Sequence, residues 1–145
     1  MSEAGLDAVI QISLFSLAFL LEFVAAVFIT GFVAKRLRIE DATYSRALGA
    51  TFLRDAGILV GMAVLTGVLG LAEASSALVS AVAVPVVVHR FVFETGIGRA
   101  ALLWLIVSPA EAVVAGVLVG AAVGLAARLG APLASYWQVV NPVSS

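Results

Sequence analysis

Lys35-Arg36-Leu37-Arg38-Ile39-Glu40, running on to Arg46, and His89-Arg90-Phe91-Val92-Phe93-Glu94, running on to Arg99, decide the fold of this chain. Lys35, Arg36, Arg38, Arg46, Arg90 and Arg99 are six of the eight Lys and Arg residues in 145 positions. Apolar runs long enough to cross a bilayer flank both stretches. Short basic loops between apolar spans mark the cytoplasmic side of a membrane protein, because translocating Lys or Arg is costly. The chain therefore reads as all-α and polytopic.

Composition agrees. The chain is 63% hydrophobic and 12% charged, with a mean hydropathy of +1.17, far outside the range of soluble domains. Its length suits one membrane domain, residues 1–145, built as a bundle of four helices. A net charge of −1 offers no basic face for nucleic acid. The absence of cysteine removes disulfides, thiolate catalysis and iron–sulfur or Cys-ligated zinc sites. The lone histidine, His89, argues against haem or a multi-His metal centre, so neither cofactor nor metal is expected. Glu3 and Asp7 stand where a signal peptide would be basic, and Ser2 stands where myristoylation needs glycine.

Four spans are predicted, over residues 9–34, 47–71, 76–93 and 100–127, with a tail at 128–145. Ser75 or Ser76 suits the N-cap of the third span and Asp41 that of the second. Gly130 and Pro132 should close the fourth. Outside the two basic loops, only Arg128 is basic on the opposite side, against Glu3, Asp7 and Glu73, so both termini are expected outside a cell membrane. Trp104 and Tyr136-Trp137 suit interfacial aromatic belts.

A repeat is one reading of this pattern. Aligning Arg46-Ala47 with Arg99-Ala100 sets Gly67 on Gly120, and the Arg36-to-Glu40 spacing matches Arg90 to Glu94 with loops differing by one residue. Two tandem hairpins of the same orientation would give this. So would positive-inside topology, which requires both basic loops in any case.

Intramembrane polar residues are the candidate site. Glu22 lies mid-span in Leu20-Leu21-Glu22-Phe23, where an ionised carboxylate needs a partner or a wet cavity. Its alternative is a protonated side chain acting as interhelix glue. Glu111 follows Ser108-Pro109, and Pro109 removes a helical hydrogen bond beside it. Such a kink either lines an ion path or bends a packed helix. Arg54-Asp55 lies about two turns, or roughly 10 Å, inside the second span. Side chains lean toward a helix N-terminus, so Arg54 and Glu111, on spans of the same direction, lean to a common level. Glu22 leans the other way. An Arg54–Glu111 pair is therefore expected, with Asp55 joining and Glu22 protonated or paired with a different chain; Arg54 and Asp55 satisfying each other or headgroups is the plainer alternative.

Small residues mark close packing. Gly57-x-x-x-Gly61 lies in the second span, and Gly116-x-x-x-Gly120-x-x-x-Gly124, extended by Ala112, in the fourth; such ridges let helix backbones approach. Spacing alone leaves open whether the contact lies within the chain or with another subunit. His89, beside Arg90 at the membrane boundary, is expected to snorkel to the interface and meet headgroups. The basic loops are expected to set topology and interact weakly with anionic lipid.

No Walker loop, GxSxG or HExxH is present. Ser13, Ser16, Thr30 and Thr66 lack a neighbouring base and read as helix–helix hydrogen-bonders. The sequence thus points to a non-catalytic structural or accessory membrane subunit, packing through glycine faces with itself or other membrane subunits. The alternative is a small oligomeric transporter or ion-translocating protein using Glu22 and Glu111 with Arg54.

Overall fold

Backbone polar groups cannot go unpaired in hydrocarbon, so a chain this apolar satisfies them within helices. The computed structural model, which describes residues 3–131, holds four: α1 (Glu3–Arg36), α2 (Tyr44–Gly67), α3 (Glu73–Val92) and α4 (Ile97–Arg128). No strand occurs among the described residues. Each helix is long and apolar enough to cross a bilayer, and the protein is a multi-pass membrane protein. Pro132, Tyr136-Trp137 and the rest of the tail lie outside the described residues.

Helix ends differ from the expected bounds for local reasons. Thr43, not Asp41, caps α2: its extended backbone (φ −109°, ψ 157°) lets its side-chain oxygen accept from Arg46 N at 3.2 Å. Asp41 instead adopts a left-handed φ of 58° in the preceding loop. Neither Ser75 nor Ser76 caps α3. That helix starts earlier, with Ala72 at the cap position and no side-chain bond, and Glu73 in the first turn faces the positive end of the helix dipole. At the C-termini, Arg38 (φ 52°), Glu94 (φ 48°) and Gly130 (φ 78°) turn left-handed. In each case the next N–H reaches back five residues: Ile39 to Ala34 O, Thr95 to Arg90 O, and Ala131 to Ala126 O. These are Schellman-type ends, and Gly130 closes α4 as expected.

Two compact units divide the chain. The first comprises the residues up to Val24 and those from Ala112; the second is Ala25–Glu111. In the first, the buried Gln11 donates from Nε2 to Ala131 O at 2.7 Å, serving a carbonyl just past the end of α4. In the second, the core is Val33, Ala34, Ile39, Ala47, Ala50, Phe93, Leu103 and Val107. It lies where the loops at 37–43 and 93–96 meet: Arg46, in the first turn of α2, donates to Val92 O and reaches Glu94 Oε1 at 3.2 Å.

Burial follows the membrane pattern. Ala34, Ala47, Ala50, Ala100, Ala126 and Ala131 are fully buried, while Phe19, Leu59, Phe91 and Val117 are largely exposed. Lipid solvates large apolar side chains as well as a protein core does, so helix contacts are left to small residues that permit close approach.

Between helix ends, the first basic loop has seven residues (37–43) and the second four (93–96). The flanking helices also differ, 34 and 24 residues against 20 and 32.

Pro85 explains one contact that sequence reading missed. Lacking an N–H, it leaves the Ala81 carbonyl, one turn earlier, without its helical donor. Trp104 Nε1 donates to that oxygen at 3.1 Å. Trp104 therefore repairs the α3 ladder instead of serving only as an interfacial anchor.

Candidate functional site

α2 buries Ala47, Ala50, Thr51 and Arg54, spaced at three and four residues and so on one face. Arg54 stands ten residues into α2, about 15 Å along its axis, and is 7% exposed. A bare guanidinium there would be very costly. Its Nε donates to Asp55 Oδ1 at 2.8 Å, and its Nη1 donates to Glu111 Oε2 at 2.5 Å. The Glu111 side chain is 11% exposed and that of Asp55 33%, so the α4 carboxylate is the more deeply held partner. The shared N-terminal lean of α2 and α4 side chains brings Arg54 and Glu111 together, and Pro109 stands two residues before Glu111 in α4.

α1, α2 and α3 hold further buried polar groups. Thr51 is fully buried one turn before Arg54 and Asp55, and its hydroxyl makes no hydrogen bond among the described residues. The same holds for Thr30, Ser76 and Ser80. His89 does not turn outward to headgroups. It is 1% exposed, one turn after the buried Pro85 and on the same face, which turns it inward while Arg90 and Phe91 stay outside. Its ring lies 6.1 Å from that of Phe93 and toward the Ala100 backbone, but neither nitrogen completes a well-formed hydrogen bond among the described residues.

Glu22 belongs to the first unit. It is half-buried and lines a groove of about 370 Å³ with Phe15, Ala18, Phe19, Ala115, Leu118 and Val119. Every other lining residue is apolar, so Glu22 gives the groove its one carboxylate.

The glycines separate into two groups. A methyl group on Gly57 would come within 2.7 Å of Val84 Cγ1, and one on Gly61 within 2.9 Å of Ser80 Oγ. The α2 ridge is thus the surface on which α3 packs. Gly31, which sequence reading missed, is covered more tightly: its added methyl would meet the Tyr44 ring at 2.6 Å. Gly116, Gly120 and Gly124 are exposed, and a methyl on any of them meets nothing within 4 Å among the described residues.

The basic residues gather at the loop end of the second unit. Arg46 is bound to Glu94 and within 4.0 Å of Asp41, so it joins the loops as well as marking topology. Lys35 Nζ lies 4.1 Å from the Tyr44 ring centroid, Arg36 stacks over Phe32 and Arg90 over Phe91. Arg38 and Arg99 are exposed. Among the described residues no group of three or more His, Asp or Glu is placed to hold a metal ion. No protein-family model matches the chain, and neither a curated protein nor a solved structure matches it significantly.

Proposed function

We propose that this protein is a non-catalytic structural or accessory subunit of the cell membrane, oriented with both termini outside, that assembles through α4 with itself or with other membrane subunits. One observation carries the reading: the face formed by Gly116, Gly120 and Gly124 is exposed and open, whereas the equivalent ridge on α2 is filled by α3. Small residues facing lipid gain nothing, since hydrocarbon tails pack poorly into a shallow groove that a second helix backbone fills well. Orientation rests on Lys35, Arg36, Arg38, Arg46, Arg90 and Arg99 lying in, or in the helix turns that flank, the loops at 37–43 and 93–96. The bilayer is the third partner, through the aromatic-backed cations at that end. Purification of the tagged protein from native membranes in mild detergent, with intact-mass analysis, tests the proposal. Fixed stoichiometry with itself or with other subunits is expected, and Gly120→Leu should release a folded chain. A wild-type monomer with nothing bound overturns it.

A second reading is favoured by a specific feature, the one guanidinium held between two carboxylates within the span. In this reading the protein is a small oligomeric ion-translocating unit, with Glu22 and Glu111 as titrating groups and Arg54 biasing them. Glu22→Gln or Glu111→Gln would then abolish proton-coupled flux in liposomes while folding and assembly persist. Normal transport by both variants ends that reading.

A further inference from the structure

The turn that joins α2 to α3 faces its surroundings in the opposite sense from the two basic loops. In those loops the apolar side chains turn inward: Ile39 and Phe93 are buried in the core, while Arg38, Glu40 and Glu94 stay outside. The turn at 68–72 reads Val68-Leu69-Gly70-Leu71-Ala72 and carries no polar side chain. Val68 is 76% exposed, Leu69 63% and Leu71 40%. Water disfavours an apolar patch held outward in this way, and lipid does not.

Helix length independently sets the depth of the turn. Arg46 is bound to Val92 O and to Glu94, so the basic ends of α2 and α3 share one level. Gly67 stands 21 residues after Arg46, about 32 Å along the axis, and Glu73 stands 17 residues before Arg90, about 26 Å. The hydrocarbon layer is about 30 Å thick and headgroups add roughly 5–7 Å on each side, so a hairpin with Arg46 and Arg90 at one boundary ends at the other without clearing the headgroups. Tilt shortens its reach further. The backbone fits that level. The N–H groups of Val68, Leu69 and Leu71 return to the Val64 and Leu65 carbonyls, with Gly70 left-handed at φ 66°, so these donors need no water. The start of α3 has Ala72 at its cap position and no side-chain bond, so its first N–H groups need the polar atoms of a headgroup layer.

We propose that the α2–α3 turn is a lipid-binding anchor in the leaflet opposite the basic loops: Val68, Leu69 and Leu71 lie among the upper acyl carbons, and the start of α3 lies in the headgroup layer. Exposure is continuous over residues 67–75 and follows no single helix face, which suits fluid phospholipid rather than a partner helix seated on one side. The anchor stands whichever end of the protein faces the cytoplasm, and whether the protein is an accessory subunit or moves ions.

The chain contains no cysteine, so Leu69→Cys and Glu40→Cys each give the full-length protein one thiol, in the turn and in a basic loop. In phosphatidylcholine nanodiscs, where both faces meet solvent, a membrane-impermeant maleimide should label position 69 about tenfold more slowly than position 40, because the thiol must first leave the acyl layer. A bimane attached at position 69 before reconstitution should be quenched by lipids that carry a nitroxide near the top of the acyl chain, and little by aqueous iodide. Val68→Cys should behave in the same way. Labelling as fast as at position 40, or quenching by iodide alone, puts the turn in water and overturns the proposal. Protection from both quenchers overturns it as well, since protein and not lipid then covers the turn.

Discussion

On α2, Gly57 and Gly61 press against Val84 and Ser80 of α3; on α4, Gly116, Gly120 and Gly124 look into open space. The spacing of four residues is the same, and so is the physical rule that small residues let backbones approach. What differs is the surroundings. The α2 ridge lies in a unit whose buried positions include Thr51, Arg54, His89 and a contiguous apolar core, so its close contacts are made within the chain. The α4 ridge lies on an exposed face. A small-xxx-small pattern therefore says that a helix can be approached, and only the surrounding side chains say by what. Substitutions around α2 should damage the fold, and those on the α4 face should spare it.

The largest effect belongs to Arg54. Arg54→Ala leaves Asp55 and Glu111 without their guanidinium in a largely buried setting, which typically costs about 3–5 kcal/mol. Glu111→Ala should be costly for the mirror reason, since it withdraws the more deeply held carboxylate. The double variant should lose less than the sum, with a coupling of roughly 0.5–3 kcal/mol in reversible unfolding in detergent. Additive losses would show that the two side chains do not act as a pair, and would remove the ion cluster from the account of why the α2 region is closed.

Gly57→Leu comes next. Even its first carbon lands 2.7 Å from Val84 Cγ1, and Val is stiff in a helix, so the contact cannot open by a rotamer change alone. Overpacking of this kind costs about 1–3 kcal/mol. Gly57→Leu should lower the unfolding midpoint, and a compensating Val84→Ala should restore part of it. If Gly57→Leu unfolds like the wild type, the α2–α3 contact is not close, and the contrast with α4 disappears.

How far the sequence reached can be judged residue by residue. The four helices were legible because apolar length is a strong signal and the basic residues cluster around the loops at 37–43 and 93–96. The Arg54–Glu111 approach was legible because side-chain lean is fixed by helix direction. Thr43 over Asp41 as the cap was not, since several residues before α2 carry a capping oxygen and only the backbone angle at Thr43 selects one. The inward turn of His89 was missed because adjacency to Arg90 suggested an outward-facing side chain. The clue lay in its four-residue spacing from Pro85, which sets both on one buried face. Gly31 and Gln11 gave no pattern at all, because their partners, Tyr44 and the Ala131 carbonyl, are fixed by tertiary placement.

Trp104→Phe tests a smaller term in the same closed region. It keeps the ring and removes the N–H that serves the Ala81 carbonyl, which Pro85 leaves without a helical donor. The net loss should be about 0.5–1.5 kcal/mol. In a Pro85→Ala background the residue at 85 regains an N–H for that carbonyl, and Trp104→Phe should cost measurably less. An equal cost in both backgrounds would mean that the indole matters for its bulk and not for the bond.

Gly120→Ala should have the smallest effect on the fold, and its smallness is the sharpest test of the comparison. The added methyl meets nothing within 4 Å among the described residues, so there is no steric cost to set against the better helix propensity of alanine, worth up to about 1 kcal/mol. The unfolding midpoint in detergent should therefore hold or rise slightly. The same methyl on a face that a second helix backbone covers would hold the two axes apart and weaken their packing. A variant that is as stable as the wild type but elutes in a smaller complex would separate folding from assembly on one helix. A variant that is destabilised as a monomer would mean that the α4 ridge, like the one on α2, is already covered within the chain.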